Sequence, residues 1–220
     1  PKVLPAELPT IWDGKLAKRI GIFGGSFDPV HYGHLILAEL CREACELDEL
    51  RLVPASVPPH KQDQGRASGE HRLEMLKLGI GGNTRLAVWD GEIKRGGVSY
   101  TVDTLRHLKE DDSESDLFFL MGADSLFDLP NWREPEAICE LATLVVVDRP
   151  GSKLVDFDVL SSVASKERIE HFRRHKVRMP QVDISSSEIR QRVAVGRSVR
   201  YQTARAVEEY IRSAGLYVVE

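Results

Sequence analysis

The stretch that decides the fold is Arg19-Ile-Gly-Ile-Phe23, followed directly by Gly24-Gly-Ser-Phe-Asp-Pro-Val-His-Tyr-Gly-His34. The first five residues predict a β-strand, and residues 33–46 carry apolar side chains at helical spacing. The order is therefore strand, glycine-rich turn and helix. Glycines let the backbone approach a ligand closely, and the amides at a helix N-terminus attract anions. Residues 24–34 are a candidate phosphate site.

This loop differs from the common phosphate loops, because no Gly-Lys-Ser/Thr follows it and G-x-G-x-x-G is absent. Instead, His31 and His34 stand three residues apart with Gly33 between them, so both rings can face a ligand at the carboxyl end of the strand. Two alternatives stay open here. One is a tight turn shaped by Asp28 and Pro29 with solvated histidines, and the other is a metal site, although no carboxylate or Cys joins the pair at ligand spacing.

The rest of the chain alternates between strand and helix patterns. Strands are expected at residues 49–53, 85–89, 116–121 and 141–147, and helices at 70–78, 101–109, 186–195 and 203–214. Such alternation predicts an α/β fold with a doubly wound, Rossmann-like parallel sheet and helices on both faces. We expect one domain over residues 1–220, with an irregular N-terminal extension over 1–18. The polar segment 151–175 is expected to be a loop plus a surface helix.

Composition limits the classes of function. The 220 residues are 42% hydrophobic and 29% charged, which is typical of a soluble globular protein. The net charge of −4 gives no footprint for nucleic acid or an anionic membrane. No apolar run approaches the ~20 residues of a membrane span, and no secretory signal is visible. The three cysteines (Cys41, Cys45 and Cys139) are an odd number without a CxxC pair, so they predict neither a disulfide framework nor a zinc site and favour a reducing cytoplasm. Cys41 and Cys45 stand four residues apart in a helical pattern and are expected to pack in the core.

A second candidate anion site is Ile184-Ser-Ser-Ser-Glu-Ile-Arg190. Taken alone, Ser185 and Glu188 have the spacing of a capping box, which is most often purely structural. However, a helix start with three hydroxyls and Arg190 in its first turns also suits phosphate, because a guanidinium binds it bidentately. Two anion sites at two helix N-termini would fit a triphosphate.

Together, GGSFDPVHYGH and ISSSEIR resemble the HxGH nucleotidyltransferase superfamily. Further stretches resemble the bacterial nicotinate-nucleotide adenylyltransferases in particular. These stretches are Pro58-Pro-His-Lys61, Arg95-Gly-Gly-Val-Ser-Tyr-Thr-Val-Asp-Thr-Leu105, Phe119-Leu-Met-Gly-Ala-Asp-Ser-Leu126 with Trp132, and Val146-Val-Asp-Arg-Pro-Gly151. The resemblance runs from about Arg19 to Tyr217 and implies a nucleotidyltransferase fold. One departure is Tyr201-Gln-Thr-Ala-Arg205, where the family usually has Val-Pro before its last helix.

The resemblance implies catalytic roles for His31, His34, Lys61 and Arg190. It implies ATP contacts from Gly24, Gly25, Ser26, Phe27, His31, His34, Gly122, Asp124, Ile184, Ser185, Ser186, Ser187 and Arg190. For nicotinate mononucleotide it implies contacts from Gly25, Ser26, Lys61, Thr101, Trp132 and Arg133. In this scheme Trp132 stacks on the nicotinate ring, and Thr101 and the backbone amide of Arg133 lie near its carboxylate. Read without the resemblance, Trp132 is compatible with core packing, Lys61 with a solvated side chain, and Asp124 and Thr101 with helix caps.

The activity so implied is adenylyl transfer from ATP to nicotinate mononucleotide, giving nicotinate adenine dinucleotide and pyrophosphate in NAD biosynthesis. We expect direct in-line attack without a covalent intermediate, and Mg²⁺ held mainly by phosphate oxygens rather than by a protein metal site. The histidines, Lys61 and Arg190 are expected to supply positive charge. Nicotinamide mononucleotide or phosphopantetheine as acceptor, and a non-catalytic nucleotide sensor, are the alternatives. Self-association into a homo-oligomer is left open.

Overall fold

A computed structural model describes residues 11–12, 15–56, 66–149, 151 and 154–218. Its strands are β1 (Ile11–Trp12), β2 (Lys15–Leu16), β3 (Arg19–Gly25), β4 (Glu49–Pro54), β5 (Leu86–Val88), β6 (Asp116–Gly122), β7 (Ala142–Asp148) and β8 (Lys176–Arg178). Its α-helices are α1 (Tyr32–Ala44), α2 (Gly69–Gly79), α3 (Gly91–Arg95), α4 (Thr101–Asp111), α5 (Ala123–Asp128), α6 (Pro135–Leu141), α7 (Lys166–Arg173), α8 (Ser186–Ala194) and α9 (Arg205–Ser213). Two short 3-10 helices cover Leu129–Asn131 and Phe157–Leu160.

Strands β3 to β8 form one parallel sheet in the order β5-β4-β3-β6-β7-β8. The chain first builds outward from β3 to β5 and then resumes on the other side of β3 with β6. The order therefore reverses between β3 and β6, and in doubly wound sheets ligands bind in the crevice at that point. The predicted α/β fold is confirmed. Residues 24–34, the candidate phosphate loop, begin at the carboxyl end of β3, so they lie at this crevice.

Each face of the sheet is covered by its own apolar cluster. On one face, Leu105 of α4, Ile138 of α6 and Phe172 of α7 belong to the same buried cluster as Ile20 and Ile22 of β3. The opposite cluster joins α1, α2 and α9 to β4 and to alternate residues of β6 and β7, and its members include Leu37, Met75, Val207, Leu50 and Phe118. Parallel strands buried on both faces read as apolar runs, which explains the sequence of β7.

The structure departs from the expected irregular extension at residues 11–12 and 15–16, where β1 and β2 pair antiparallel. The Asp-Gly dipeptide at positions 13 and 14 is a sequence signal for a hairpin, which the prediction overlooked. The short helices α3, α5 and α6 were also not predicted as helices, because five to seven residues are too few for a clear helical period.

Segment 151–175 contains a helix, as expected, but this surface helix also contributes to the core. Its helix α7 buries Ile169 and Phe172, and the preceding 3-10 helix buries Phe157 and Leu160. All four side chains belong to the core cluster on the α4 face. Charged residues between these positions dominate the composition and hide the apolar spacing. The segment therefore completes the core beside β7.

The three cysteines lie in the core, which the spacing predicted for Cys41 and Cys45. Burial is the main cause that raises the pKa of Cys41 to about 12 and those of Cys45 and Cys139 to about 11. Thiols that stay protonated at neutral pH are poor nucleophiles. Among the described residues, no helix is long and apolar enough to span a bilayer.

Replacing Phe172 by Ala tests the corrected position of α7. The ring is fully buried, so Phe172→Ala should lower the free energy of unfolding by about 3–5 kcal/mol in urea titrations. The matched control is Leu154→Ala, because Leu154 is 89% exposed in the same segment and its loss should cost under about 0.5 kcal/mol. Similar small losses for both variants would show that the segment is peripheral after all.

Candidate functional site

The two histidines of the phosphate loop meet at the start of α1. His31 is the N-cap residue of α1, and its ring stacks on that of His34 with centroids 3.7 Å apart and planes inclined by 26°. The ring of His34 also contacts Phe27 edge-on, at 5.0 Å between centroids. Phe27 itself is buried, so its side chain supports the histidines from the core. The predicted pairing of His31 and His34 is thus present in the fold.

The glycines around the pair have two different purposes. A Cβ at Gly33 would lie 3.0 Å from Nδ1 of His31, and one at Gly25 would lie 2.9 Å from the ring of Phe27. These two positions need glycine because the rings pack directly on the backbone. By contrast, among the described residues a Cβ at Gly24 or Gly122 would meet no atom within 4 Å. Gly24 is the last residue but one of β3 and Gly122 ends the neighbouring strand β6, so the described part of this crevice is open to a ligand.

Both histidines are neutral at pH 7. Burial is the main cause that lowers the pKa of His31 to about 4, with the positive charge of Arg149 adding to it. Burial, His31 and Arg149 hold the pKa of His34 well below its usual value. The backbone amide of His31 donates to Nδ1 of His34 at 3.3 Å, which leaves the ring proton of His34 on Nε2. In the unliganded protein these rings are therefore neutral hydrogen-bonding groups, in contrast to the positive charge expected of them in the reaction.

Side chains from distant segments hold the carbonyl oxygens of the phosphate loop. Arg72 of α2 donates from Nη1 to the carbonyl of Ser26 at 2.9 Å, and Arg190 of α8 donates to that of Asp28 at 2.7 Å. Hydroxyls hold the next two carbonyls: Ser186 Oγ donates to Pro29 at 2.9 Å and Thr203 Oγ1 to Val30 at 2.7 Å. The second candidate anion site thus packs directly on the first. Ser185 caps α8 by accepting from the Glu188 amide at 3.1 Å, as its spacing predicts.

A cavity of about 290 Å³ opens beside the phosphate loop. Its lining includes the predicted residues Gly24, Gly25, Ser26, Thr101 and Trp132. Its walls are mostly apolar, with Ile22, Val53, Leu105 and Phe119. The β3 loop, the start of α4 and the turn after α5 therefore converge on one space large enough for a planar ring.

Trp132 and Thr101 line this cavity from two different elements of the fold. Trp132 ends the 3-10 helix after α5 and packs edge-on against Phe119, with centroids 6.2 Å apart. It combines core packing with a place in the cavity wall. Thr101 is the first residue of α4, while Tyr100 is the N-cap, and none of the described side chains caps this helix. The alternative that Thr101 is itself the cap is therefore wrong.

The remaining predicted residues lie apart from these two groups or outside the structure. The exposed side chain of Arg133 pairs with Asp103 at 3.5 Å and covers the Tyr100 ring, so only its backbone is available for the role predicted. Asp124 is exposed on α5 and does not line the cavity. It is not the N-cap of α5, which is Gly122. Lys61 lies outside the described residues, so its role stays a prediction.

Sequence reasoning missed several buried polar residues at the site. In the cavity, Thr104 donates to the buried carboxylate of Glu92 at 2.6 Å. Arg72 is only 6% exposed although it is an arginine. Its spacing to Met75 and Leu76 places it on the apolar face of α2, which was a visible signal for a structural charge. Thr203 offered no such signal, because only the fold brings it to the loop.

The neutral state of His31 predicts a pH dependence of stability. Its pKa is about 4 in the folded protein and about 6.5 when unfolded, so between these values the unfolded chain binds the extra proton. Stability is thus lost as pH falls from about 6.5 to 4. His31→Asn removes the titration and keeps a good helix N-cap. We expect the variant to gain up to about 3 kcal/mol on the wild type over this range in urea titrations. A pH-independent difference would contradict the burial of a neutral ring.

Comparison with known proteins agrees with this architecture. The cytidylyltransferase-like family model matches residues 22–192. A relative from Thermomicrobium roseum, named a probable nicotinate-nucleotide adenylyltransferase, is 45% identical over 90% of this chain and 91% of its own. A relative of the same name from Roseiflexus sp. is 46% identical over 90% of this chain and 97% of its own.

The solved Plasmodium falciparum nicotinic acid mononucleotide adenylyltransferase, complexed with NaAD, shares the fold. Its TM-score is 0.70 at 22% identity, over 91% of this chain and 97% of that one. The chain therefore belongs to the cytidylyltransferase-like family and, within it, to the nicotinate-nucleotide adenylyltransferases, which are nucleotidyltransferases.

Proposed function

We propose that this protein transfers the adenylyl group of ATP to nicotinate mononucleotide, releasing pyrophosphate. One observation carries the proposal: the cavity beside the His31–His34 loop is lined both by loop residues and by Thr101 and Trp132, the residues predicted to meet the nicotinate ring. The phosphate site and the ring site proposed here would thus be adjacent at the crevice between β3 and β6. The names of the relatives in the same family support this substrate pair.

In the proposed reaction, a phosphate oxygen of the mononucleotide attacks the α-phosphorus of ATP in line with the departing pyrophosphate. This oxygen is already ionised near neutral pH, so no general base and no covalent intermediate are required. Catalysis then rests on bringing two anions together and on stabilising the charge that develops on the leaving group. Neutral His34, with its proton on Nε2, supplies a hydrogen-bond donor for a phosphate oxygen without reorganising.

Arg190 would combine two tasks in this scheme. Its Nη1 donates to the carbonyl of Asp28, and Nη2 lies 3.4 Å from Ser187 Oγ at the exposed start of α8. The guanidinium thus faces the hydroxyl-rich helix N-terminus, whose partial positive charge favours phosphate. We propose that Arg190 and Ser187 bind the β- and γ-phosphates while the same arginine braces the loop.

Binding of the nicotinate carboxylate is proposed at the start of α4. Thr101 lines the cavity there, and the absence of a described side-chain cap leaves first-turn amides for a ligand. A helix N-terminus favours a carboxylate over a neutral amide. The flat indole of Trp132 in the cavity wall offers a stacking surface for the pyridine ring.

We propose that Mg²⁺ enters with ATP rather than at a protein site. Within the described ranges, no three His, Cys, Asp or Glu side chains converge as metal ligands, so the donors would be phosphate oxygens and water. When bound, the ion would neutralise charge on the phosphates.

Pyrophosphate release with ATP and Mg²⁺ tests the substrate pair directly. Nicotinate mononucleotide, nicotinamide mononucleotide and phosphopantetheine are compared at equal concentrations. We expect kcat/KM for the nicotinate form to exceed that for the amide at least about 100-fold, because groups arranged for a carboxylate pair poorly with an amide. Preference for another acceptor would overturn the substrate while keeping the reaction class. ATP binding without turnover on any acceptor would indicate a nucleotide sensor.

Removing one histidine tests the phosphate site. By the scale of one lost donor to a developing charge, His34→Ala should lower kcat about 10²–10³-fold. His107→Ala is the matched control, since His107 is an exposed histidine on α4. It should stay within about two-fold of the wild type, because surface changes are usually small. Turnover of folded His34→Ala within a few-fold of wild type would rule out the proposed role.

A further inference from the structure

The phosphate loop contains a buried carboxylate, Asp28, for which the proposed chemistry gives no role. Asp28 lies three residues before His31 and is 1% exposed. Burying a carboxylate is costly unless hydrogen bonds and opposite charges compensate it. A small loop residue without charge would avoid this cost. The partners of Asp28 therefore indicate what the charge is for.

Three separate segments meet at Asp28. Its Oδ1 accepts from the hydroxyl of Tyr217 at 2.6 Å and from the backbone amide of Ala67 at 3.2 Å. Its Oδ2 lies 3.7 Å from Nη1 of Arg190, which also binds the carbonyl of Asp28. One residue thus links the phosphate loop to the entry into α2, to α8 and to the C-terminal segment.

The C-terminal segment turns back to make this contact. Residues 212–215 are exposed, whereas Tyr217 is half-buried and adopts a left-handed backbone conformation with φ of 65°. That conformation is strained for a residue with a side chain and persists only where contacts compensate it. Burial, followed by the charge of Asp28, raises the pKa of Tyr217 above its usual value. The hydroxyl therefore remains a proton donor throughout the physiological range.

Arg72 fixes the adjoining part of the loop. Its Nη2 donates to the carbonyl of Ser56 at 3.2 Å while Nη1 holds Ser26. Burial lowers the pKa of Arg72, and the carboxylate of Asp28 opposes that shift. Asp28 thus interacts electrostatically with Arg72 and lies beside Arg190, and each of these guanidiniums holds a loop carbonyl.

We propose that Asp28 and Tyr217 are positioning residues for adenylyl transfer. Neither side chain is required to touch a substrate. The Tyr217 hydroxyl fixes the Asp28 carboxylate, and that carboxylate fixes the position of the loop backbone. The loop backbone in turn places His31 and His34 against the phosphates of ATP. This inference rests on the proposed function. A purely structural pair would stabilise the fold without affecting how ATP is used.

Two tyrosine variants separate positioning from stability. Tyr217→Phe removes only the hydroxyl that reaches the loop. The control is Tyr210→Phe, because the Tyr210 hydroxyl lies 2.9 Å from Nδ1 of His71 and joins α9 to α2 away from the loop. Both variants lose one tyrosine hydrogen bond, and the larger fall in melting temperature is expected for Tyr217→Phe, because its partner is a buried carboxylate. Tyr217→Phe should lower kcat/KM for ATP about 10–100-fold, as expected for a small misplacement of catalytic groups.

The kinetic constants of these variants distinguish a positioning role from a purely structural one. KM for the mononucleotide should stay within about two-fold in Tyr217→Phe, and Tyr210→Phe should resemble the wild type throughout. Asp28→Asn and the double variant Asp28→Asn/Tyr217→Phe should lose similar activity, because both changes break one unit. If the losses add, or if the two tyrosine variants behave alike, the positioning role is overturned.

Failure of the proposed function would look different. In that case the wild type would release no pyrophosphate with any pyridine mononucleotide. The role of Asp28 and Tyr217 is then tested by measuring the affinity for Mg·ATP by calorimetry. About ten-fold weaker binding by Tyr217→Phe, with unchanged binding by Tyr210→Phe, supports the role, whereas equal affinities overturn it.

Discussion

The conformation of the loop between β3 and α1 is the constraint on which the site depends. Its carbonyl groups at Ser26, Asp28, Pro29 and Val30 are all held by side chains from elsewhere in the chain. A buried carbonyl without a partner costs about as much as a lost hydrogen bond, so each donor narrows the conformations available to the loop. The positions of His31 and His34 follow from this loop conformation. The sheet supplies the crevice, but donors from α2, α8 and the stretch before α9 set its geometry.

The electrostatics of the site follow from burial rather than from accumulated positive charge. His31 and His34 are stacked and neutral, and the nearby guanidiniums of Arg72 and Arg190 already bind protein carbonyls. In the proposed reaction, a triphosphate would therefore meet ring N–H donors and the partial positive charge of helix N-termini rather than protonated histidines.

Much of the fold and part of the site could be predicted from the sequence, for physical reasons. The long strands and helices carry clear periods, and the glycines and histidines of residues 24–34 are adjacent in sequence, so local spacing reveals them. Helices of five to seven residues carry too little periodicity, and the apolar residues of α7 are hidden among charges. Arg72, Thr203 and Tyr217 act through contacts that only tertiary structure creates. Their partners lie 46, 173 and 189 residues away in the chain.

These separations also affect biosynthesis. A ribosome releases β3, the histidines and α1 long before it releases Arg190, Thr203 and Tyr217. A nascent chain could therefore form early strands and helices, yet its phosphate loop would lack the donors that fix three of its carbonyls. Domains generally fold as units as they emerge, and this loop is fixed only once residues up to Tyr217 are available. A chain that stops before these residues would keep the histidines without the contacts that position them.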